Sequence, residues 1–280
     1  MNIGIRLHDT KNGTLEERLG FARAQGFSCA HLAMSKAVAG FKMEEAPARL
    51  ADPELAAQVR EAFRNTGMEM AVLGCYLNLA DPEEESRKRT QEIYFAHLAF
   101  AAKTGAGVVG TETYAHPSFP LKGRAGDSEE AYQLFLDSLR TVVRKAEETG
   151  TLLAVEPVWT HIIDTPEKAE RMLNDIRSDN LRIILDAVNL LGADNVNRAE
   201  EIIQDGIRRL GDRVSVLHMK DYQERNGKLE AVACGLGEMK YETLLRFGQE
   251  RNLPMTLENT VPDNAEAARR YLEKAAEKLT

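Results

Sequence analysis

The sequence predicts a closed (β/α)8 barrel, and three observations carry that expectation. Short runs rich in Val, Ile and Leu alternate with longer charged stretches of helical period along the whole chain. Strict alternation of this kind calls for a mainly parallel sheet. Eight such units fit within the 280 residues, the size at which eight parallel strands close on themselves. Glycines also stand at the joints: Gly26, Gly67, Gly105, Gly150 and Gly211 each fall just before an apolar run, where a helix C-cap belongs. An open doubly wound sheet is the architectural alternative. No linker or shift in composition divides the chain, so residues 1–280 are expected to form a single domain.

The elements follow in order. A first strand is expected over 2–7, "NIGIRL"; its start lacks the basic and apolar regions of a secretory leader. The helix "LEERLGFARAQG" leads to a second strand over 29–34, "CAHLAM", and "PELAAQVREAFRNTG" leads to a third over 68–74, "MEMAVLG". The long helix "DPEEESRKRTQEIYFAHLAFAAKTG" precedes a fourth strand over 107–112, "GVVGTE". Its "GAGVVG" matches a dinucleotide fingerprint literally. That fingerprint needs a strand before it and a helix opening inside it, and here the order is reversed, so a helix cap and tight turn are expected. In the second half, strands are expected over 152–157, 182–187, 213–219 and 254–259. Between and after them come the helices "DSEEAYQLFLDSLRTVVRKAEETG", "TPEKAERMLNDI", "NRAEEIIQDGIRRLG", "KYETLLRFGQERN" and "NAEAARRYLEKAAEKL". Asp, Thr or Asn beside Pro or Glu opens several of these helices, as an N-cap should.

Composition narrows the function. The formal net charge of −8 opposes a nucleic-acid binder, which needs a basic face to displace counterions. No apolar run approaches the roughly 20 residues that span a bilayer. Cys29, Cys75 and Cys234 are odd in number and have no zinc-type spacing, which suits buried thiols in a reduced, cytoplasmic protein.

Alternate residues of a barrel strand face the interior, and reactive groups collect at the C-terminal ends. By that rule Glu156, Asp186, His218 and Glu258 end four consecutive strands on the same face. Acids at strand ends also cap helices or pair with lysines, and for any one of the four that reading stands. For all four together, three carboxylates and an imidazole at one mouth repel each other unless a cation lies between them. A divalent ion (Mn²⁺, Mg²⁺, Co²⁺ or Zn²⁺) suits such an O₃N set, which is too acidic and too poor in sulfur for a structural zinc site.

These residues also carry a family resemblance. "AVEPVWTHIIDTPE", "LDAVNLL", "LHMKD", "GLGEMKYETLL" and "TLEN" occur in the order found in the sugar-phosphate isomerase/epimerase superfamily. "GCYLNLADPEEESR" and "GVVGTET" are similar to it too, so the likeness covers nearly the whole chain. The superfamily is built on a xylose isomerase-like TIM barrel. It includes D-tagatose and D-psicose 3-epimerases, hydroxypyruvate isomerases, inosose dehydratases and endonuclease IV. The resemblance implies that Glu156, Asp186, His218 and Glu258 bind one divalent metal ion. It further implies that Glu156 and Glu258 exchange a proton with a small sugar through a cis-enediolate. Removing a proton beside a carbonyl needs a base and an electrophile for the developing oxyanion, which carboxylates and a metal supply. Where many members carry a substrate-binding His three residues after the strand-six Asp, this chain has Asn189. An amide still bonds a hydroxyl but does not titrate near neutrality. The extra histidines of the endonuclease IV cluster are not expected either, since the first-half strand ends offer Leu32, Met34, Tyr76 and Asn78.

Further candidates line the expected mouth. His161 and Trp159 follow strand five and suit a sugar face, although a loop His and a half-buried Trp need no function. Glu112 ends strand four, as a pocket residue or a partner for a basic side chain. Lys220 follows His218 on the same face and suits a substrate oxygen. Asp221 points the other way, to orient a ligand or cap a turn. Arg225 is a substrate candidate by resemblance, in a loop whose length differs. His97 is expected to be a core histidine, while His8, His31 and His116 are unassigned. Lys36, Lys42, Lys122 and Arg124 leave a phosphate site open. The expected partner is a sugar or sugar derivative, with no nucleic acid and no membrane; loops near the mouth could also pack against a second copy. Three functions compete: a metal-dependent isomerase or epimerase, a dehydratase of a keto-inositol-like substrate, and a non-catalytic sugar-binding barrel.

Overall fold

The computed structural model describes residues 1–115, 119 and 124–279, so His116 and Lys122 lie outside the described residues. Eight parallel strands close into a barrel. In chain order they are β1 (Asn2–Arg6), β2 (Cys29–Leu32), β3 (Glu69–Gly74), β4 (Val108–Thr111), β5 (Leu153–Val155), β6 (Leu181–Asp186), β7 (Val214–Met219) and β10 (Pro254–Leu257). Each pairs with the next in parallel, and β10 closes the ring on β1 with Gly4 opposite Thr256.

Helices cover the outside. They are α1 (Leu15–Ala24), the short α2 (Met34–Ala37) and α3 (Ala46–Ala51), then α4 (Pro53–Thr66), α5 (Glu84–Thr104), α6 (Glu129–Thr149), α7 (Pro166–Ile176), α8 (Ala199–Leu210), α9 (Glu242–Glu250) and α10 (Ala265–Glu277). Local chemistry sets their ends. Thr14 and Glu17 form a reciprocal capping box at the start of α1. Gly67, Gly105 and Gly150 end α4, α5 and α6 with φ of 62°, 76° and 66°, a region that costs a side-chain-bearing residue energy. Gly211 departs from the expected cap. It is right-handed (φ −53°) and carries α8 into a short 3₁₀ turn, with a missing Cβ that would lie 3.3 Å from Phe247.

The sequence reading undercounted the strands. After β7 the chain forms an antiparallel hairpin, β8 (Asp221–Arg225) with β9 (Lys228–Val232), outside the barrel sheet. Asn226 and Gly227 turn it with φ of 53° and 71°, the two positive angles of a type I′ turn. That Asn-Gly pair was a readable signal.

The barrel interior holds Cys29, Ala71, Val72, Val108, Ala154, Ile184 and Val216. It is tightly filled: a Cβ on Gly4 would come within 2.6 Å of the Cys29 carbonyl oxygen. The larger core packs between the barrel and the helices. All three cysteines are buried free thiols. His97 is buried on α5, its Nδ1 2.8 Å from the Ile93 carbonyl oxygen, while its Nε2 has no hydrogen-bond partner among the described residues. Among the described residues no helix is long and apolar enough to cross a membrane.

Candidate functional site

The four acidic and imidazole tips meet at the C-terminal end of the barrel. Backbone pairing fixes them there. Asp186 is the last residue of β6 and sits in register with His218 of β7. Glu156 and Glu258 lie one step beyond their strands, and their amides still donate to Thr111 and Met219 carbonyls at 2.8 and 3.0 Å. His218 is the hub: its Nδ1 is 3.0 Å from Glu156 Oε2 and 3.2 Å from Glu258 Oε1. All four side chains are buried.

Each carboxylate is held from its outer side. Asp186 Oδ1 accepts from the Val188 and Asn189 amides at 2.9 and 3.1 Å, which leaves Oδ2 in ion-pair contact with Lys220 Nζ at 3.0 Å. Glu156 Oε1 accepts from Asn189 Nδ2 at 2.5 Å. Glu258 Oε2 lies 3.3 Å from Lys220 Nζ and 3.4 Å from Arg6. Lys220 also donates to Asn189 Oδ1 at 2.7 Å. The ammonium group, expected to face a substrate oxygen, is therefore bound into the acid cluster.

Burial would push the Glu258 carboxyl up, but the charges of His218, Lys220 and Arg6 outweigh it and hold the group well below the usual range. Asp186 stays raised at about 6, because burial and the Glu156 and Glu258 charges together exceed the pull of Lys220. Glu112 is pushed up to about 8 by burial and by the same two glutamates.

The donor set fits a cation. Glu156, Asp186 and His218 offer ligand atoms that all lie within 4.8 Å of one another, as do His31, His218 and Glu258. Among the described residues neither nitrogen of His218 makes an aligned hydrogen bond, and Asp186 Oδ2 is met by an ion-pair contact rather than by one. Buried polar atoms in that state call for a partner. Three carboxylates with one imidazole suit a hard or borderline divalent ion.

Above the cluster opens a cavity of about 510 Å³. Glu112, His161, Asn189, Lys220 and Glu258 reach its wall, as the sequence suggested. His161 Nδ1 is 3.7 Å from Glu112 Oε2, and its ring meets Tyr114 edge-on at 4.9 Å. Two candidates are elsewhere. The loop after β5 turns back on itself, with the His161 amide donating to Val158 and the Val158 amide to Ile163. That turn sends His161 inward and Trp159 away. The indole of Trp159 donates to Asp194 at 3.1 Å, lies 3.7 Å from the Arg124 guanidinium, and lines a separate cavity of about 430 Å³. Arg225 ends β8 on the exposed hairpin and pairs with Gln223 and Glu230.

Asp221 binds no site residue. It is buried and accepts from the amides of Tyr222, Gly235 and Met239 at 2.9, 3.0 and 2.8 Å, which pins the loop after the hairpin. Of the basic residues weighed for a phosphate, Lys36 lines the mouth, Lys42 pairs with Glu45 at 3.5 Å and Arg124 with Asp164 at 3.1 Å.

Sequence reasoning missed His31, Arg6 and the placement of Tyr76. The inward phase of β2 is Cys29 and His31, not Leu32 and Met34, because Cys29 belongs to the interior cluster. A one-residue slip in phase moves every side chain of a strand to the other face.

A parallel eight-stranded barrel with a buried Glu/Asp/His/Glu cluster at its mouth defines a class: (β/α)8 barrels that gather their polar groups at the C-terminal end. Within that class, this chain belongs to the xylose isomerase-like TIM barrel family, whose sequence profile matches residues 19–277. No curated protein matches the chain by sequence. Among solved structures it is similar to the apo form of 3-keto-D-glucoside 4-epimerase, YcjR, from E. coli. That match has 17% identity and a TM-score of 0.75, covering 98% of this chain and 99% of that one. It is also similar to D-psicose 3-epimerase with D-tagatose from Clostridium cellulolyticum H10 (15% identity, TM-score 0.72, covering 100% and 96%). A third is the IOLI protein with a bound zinc atom (18% identity, TM-score 0.70, covering 100% and 98%).

Proposed function

We propose that this protein is a divalent-metal-dependent isomerase or epimerase of a small sugar or keto-sugar. One observation carries the reading: a buried imidazole stands 3.0 and 3.2 Å from two glutamates on different strands, beneath an open polar mouth. Glu156, Asp186, His218 and Glu258 would hold the ion, which when bound stabilises negative charge developing on a substrate oxygen.

The chain's own residues supply the rest. Glu156 and Glu258 flank the hub, and Asn189, Lys220 and Arg6 hold the oxygens turned away from it. One carboxylate takes the proton from the carbon beside the carbonyl, and an enediolate results. If the other carboxylate returns a proton to the same carbon from the opposite face, the product is an epimer. Return to the neighbouring carbon gives an isomer. The solved structures named for epimerases support this substrate class.

A lyase reading has one observation in its favour. Glu112 stands on the cavity wall, raised to about 8 by burial and by the charges of Glu156 and Glu258, and a carboxyl held protonated there would give its proton to a leaving hydroxyl. A structural neighbour is described as the probable 3-DHS dehydratase AsbF.

The test is solvent exchange. Mn²⁺-loaded protein is incubated with a panel of ketoses in D₂O. Deuterium at carbon three marks an epimerase, an aldose product an isomerase, and a dehydrated product a lyase. Glu258→Gln is expected to slow exchange by about 10²–10⁴-fold. Equal exchange in wild type and Glu258→Gln would sink the proton-transfer assignment.

A further inference from the structure

We propose that His31 and Tyr76 form a hydrogen-bonding wall, facing the acid cluster, that reads the hydroxyl groups of an uncharged polyol. The assignment rests on the sugar reading of the same mouth and names the class of group recognised there.

Three observations carry it. His31 is 2% exposed and lines the cavity, yet neither of its ring nitrogens has a hydrogen-bond partner among the described residues. The Tyr76 hydroxyl is also buried without a partner among the described residues, and its ring lies 5.6 Å from that of His31. A buried donor or acceptor left unpaired costs stability, and such groups persist where a ligand or water completes them.

The space for these rings is built into the backbone. A Cβ on Gly74 would lie 2.6 Å from His31 Nε2 and 2.8 Å from the Tyr76 ring, and a Cβ on Gly110 would lie 3.3 Å from the Tyr76 hydroxyl. The tips of β3 and β4 thus carry no inward side chain where the two rings fit. His218 completes the support, with its ring stacked on His31 at a centroid distance of 5.4 Å and an interplanar angle of 16°.

The chemistry of the wall matches hydroxyl groups. A neutral imidazole offers one donor and one acceptor, and a phenol offers both, as does each alcohol of a polyol. A phosphate would need an unengaged cation at this depth. Arg6 is already paired with Asp9 and Glu258, and Lys220 with Asp186 and Glu258, while Lys36, the other described cation lining this cavity, is exposed rather than buried beside the rings. His31 could alternatively join His218 and Glu258 around a second metal ion, and the test includes that outcome.

Xylitol and sorbitol are suitable probes because they have no carbonyl, so their binding requires no proton transfer. Calorimetric titration into Mn²⁺-loaded protein is expected to give binding that Tyr76→Phe and His31→Leu each weaken about fivefold to tenfold. Tyr76→Phe keeps the ring, so its melting temperature is expected to stay at the wild-type value. Bound manganese measured by mass spectrometry is expected to be one per chain in wild type and in His31→Leu. Three results overturn the proposal: no binding of either polyol to wild type, equal affinity in wild type and both variants, or manganese falling from two per chain to one in His31→Leu. Polyol binding that survives in Glu258→Gln separates the two readings. The wall then stands even if no ketose exchanges its proton in D₂O.

Discussion

Lys220→Met tests the electrostatic logic of the site. The ammonium group is 3.0 Å from Asp186 Oδ2 and 3.3 Å from Glu258 Oε2, and 6% of the side chain is exposed. Methionine keeps most of the stem and removes the charge. Glu156, Asp186 and Glu258 then share His218 and the more distant Arg6 as their cations. Breaking a buried ion pair from one side costs about 3–5 kcal/mol. For a chain of 280 residues, an unfolding entropy of about 2.1 cal/mol/K per residue gives about 0.6 kcal/mol/K. The expected fall in melting temperature is therefore about 5–8 °C in EDTA at pH 7. A divalent ion between the same carboxylates restores the missing charge, so saturating Mn²⁺ should recover most of the loss. The rise in melting temperature on adding Mn²⁺ is expected to be larger in the variant than in wild type. Two results would refute the reasoning: equal melting temperatures in EDTA, or a deficit of the same size with and without Mn²⁺.

Other perturbations test the frame around the site. Asp221→Ala removes the acceptor for three backbone amides, and a loss of about 3 kcal/mol in denaturant unfolding is expected. Limited proteolysis should then cut within residues 233–239; unchanged stability and protection would count against the pinning role. His97 is lowered from 6.5 to about 4 by burial, against the opposing bond to the Ile93 carbonyl. The unfolded chain takes up that proton more readily, so the contribution is full above pH 6.5 and is lost as pH falls through about 4. It amounts to at most about 3 kcal/mol, and His97→Leu should flatten the acid limb of a stability–pH curve over that window. Arg225→Ala, on the exposed hairpin, should change stability by less than about 0.5 kcal/mol and leave any turnover unaltered.

The barrel was legible because its signal is repeated. Apolar runs and helical stretches alternate eight times over, with glycine stops at several of the joints, so errors of one or two residues at each boundary leave the topology intact. The acid cluster was legible for a related reason: Glu156, Asp186, His218 and Glu258 share one phase rule across four neighbouring strands. His31 was lost when β2 was read one residue out of phase, since a run of four buried residues shows no alternation. Trp159 and Arg225 were misplaced because loop direction depends on bonds that no periodicity announces. The Val158–Ile163 turn sends Trp159 outward, and the Asn226–Gly227 turn carries Arg225 away on a hairpin. The hairpin itself was within reach, given an Asn-Gly pair between two alternating runs.

The mouth is built unevenly, and under the proposed metal reading coordination geometry accounts for it. A divalent ion holds its ligand atoms at about 2.0–2.6 Å, while neighbouring strands stand about 4.8 Å apart. In the proposed reading one ion would draw its ligands from adjacent strands, and β5, β6, β7 and β10 are consecutive in the ring. Among the described residues of the facing arc, β1 to β4, His31 alone brings a ligand atom into a group that could hold an ion, beside His218 and Glu258. There the inward tips are Arg6, His31, Gly74 and Gly110. Four more acids on that arc would only add repulsion to a site already short of positive charge. Glycine at two of these tips instead admits the rings of His31 and Tyr76, which carry hydrogen-bonding atoms without carrying charge. In the proposed reading, a polyol thus lies between an acidic wall that moves its protons and a neutral wall that reads its hydroxyls. The two walls meet where the ring of His31 stacks on that of His218, so Tyr76→Phe, which leaves that stack in place, is the substitution that separates them.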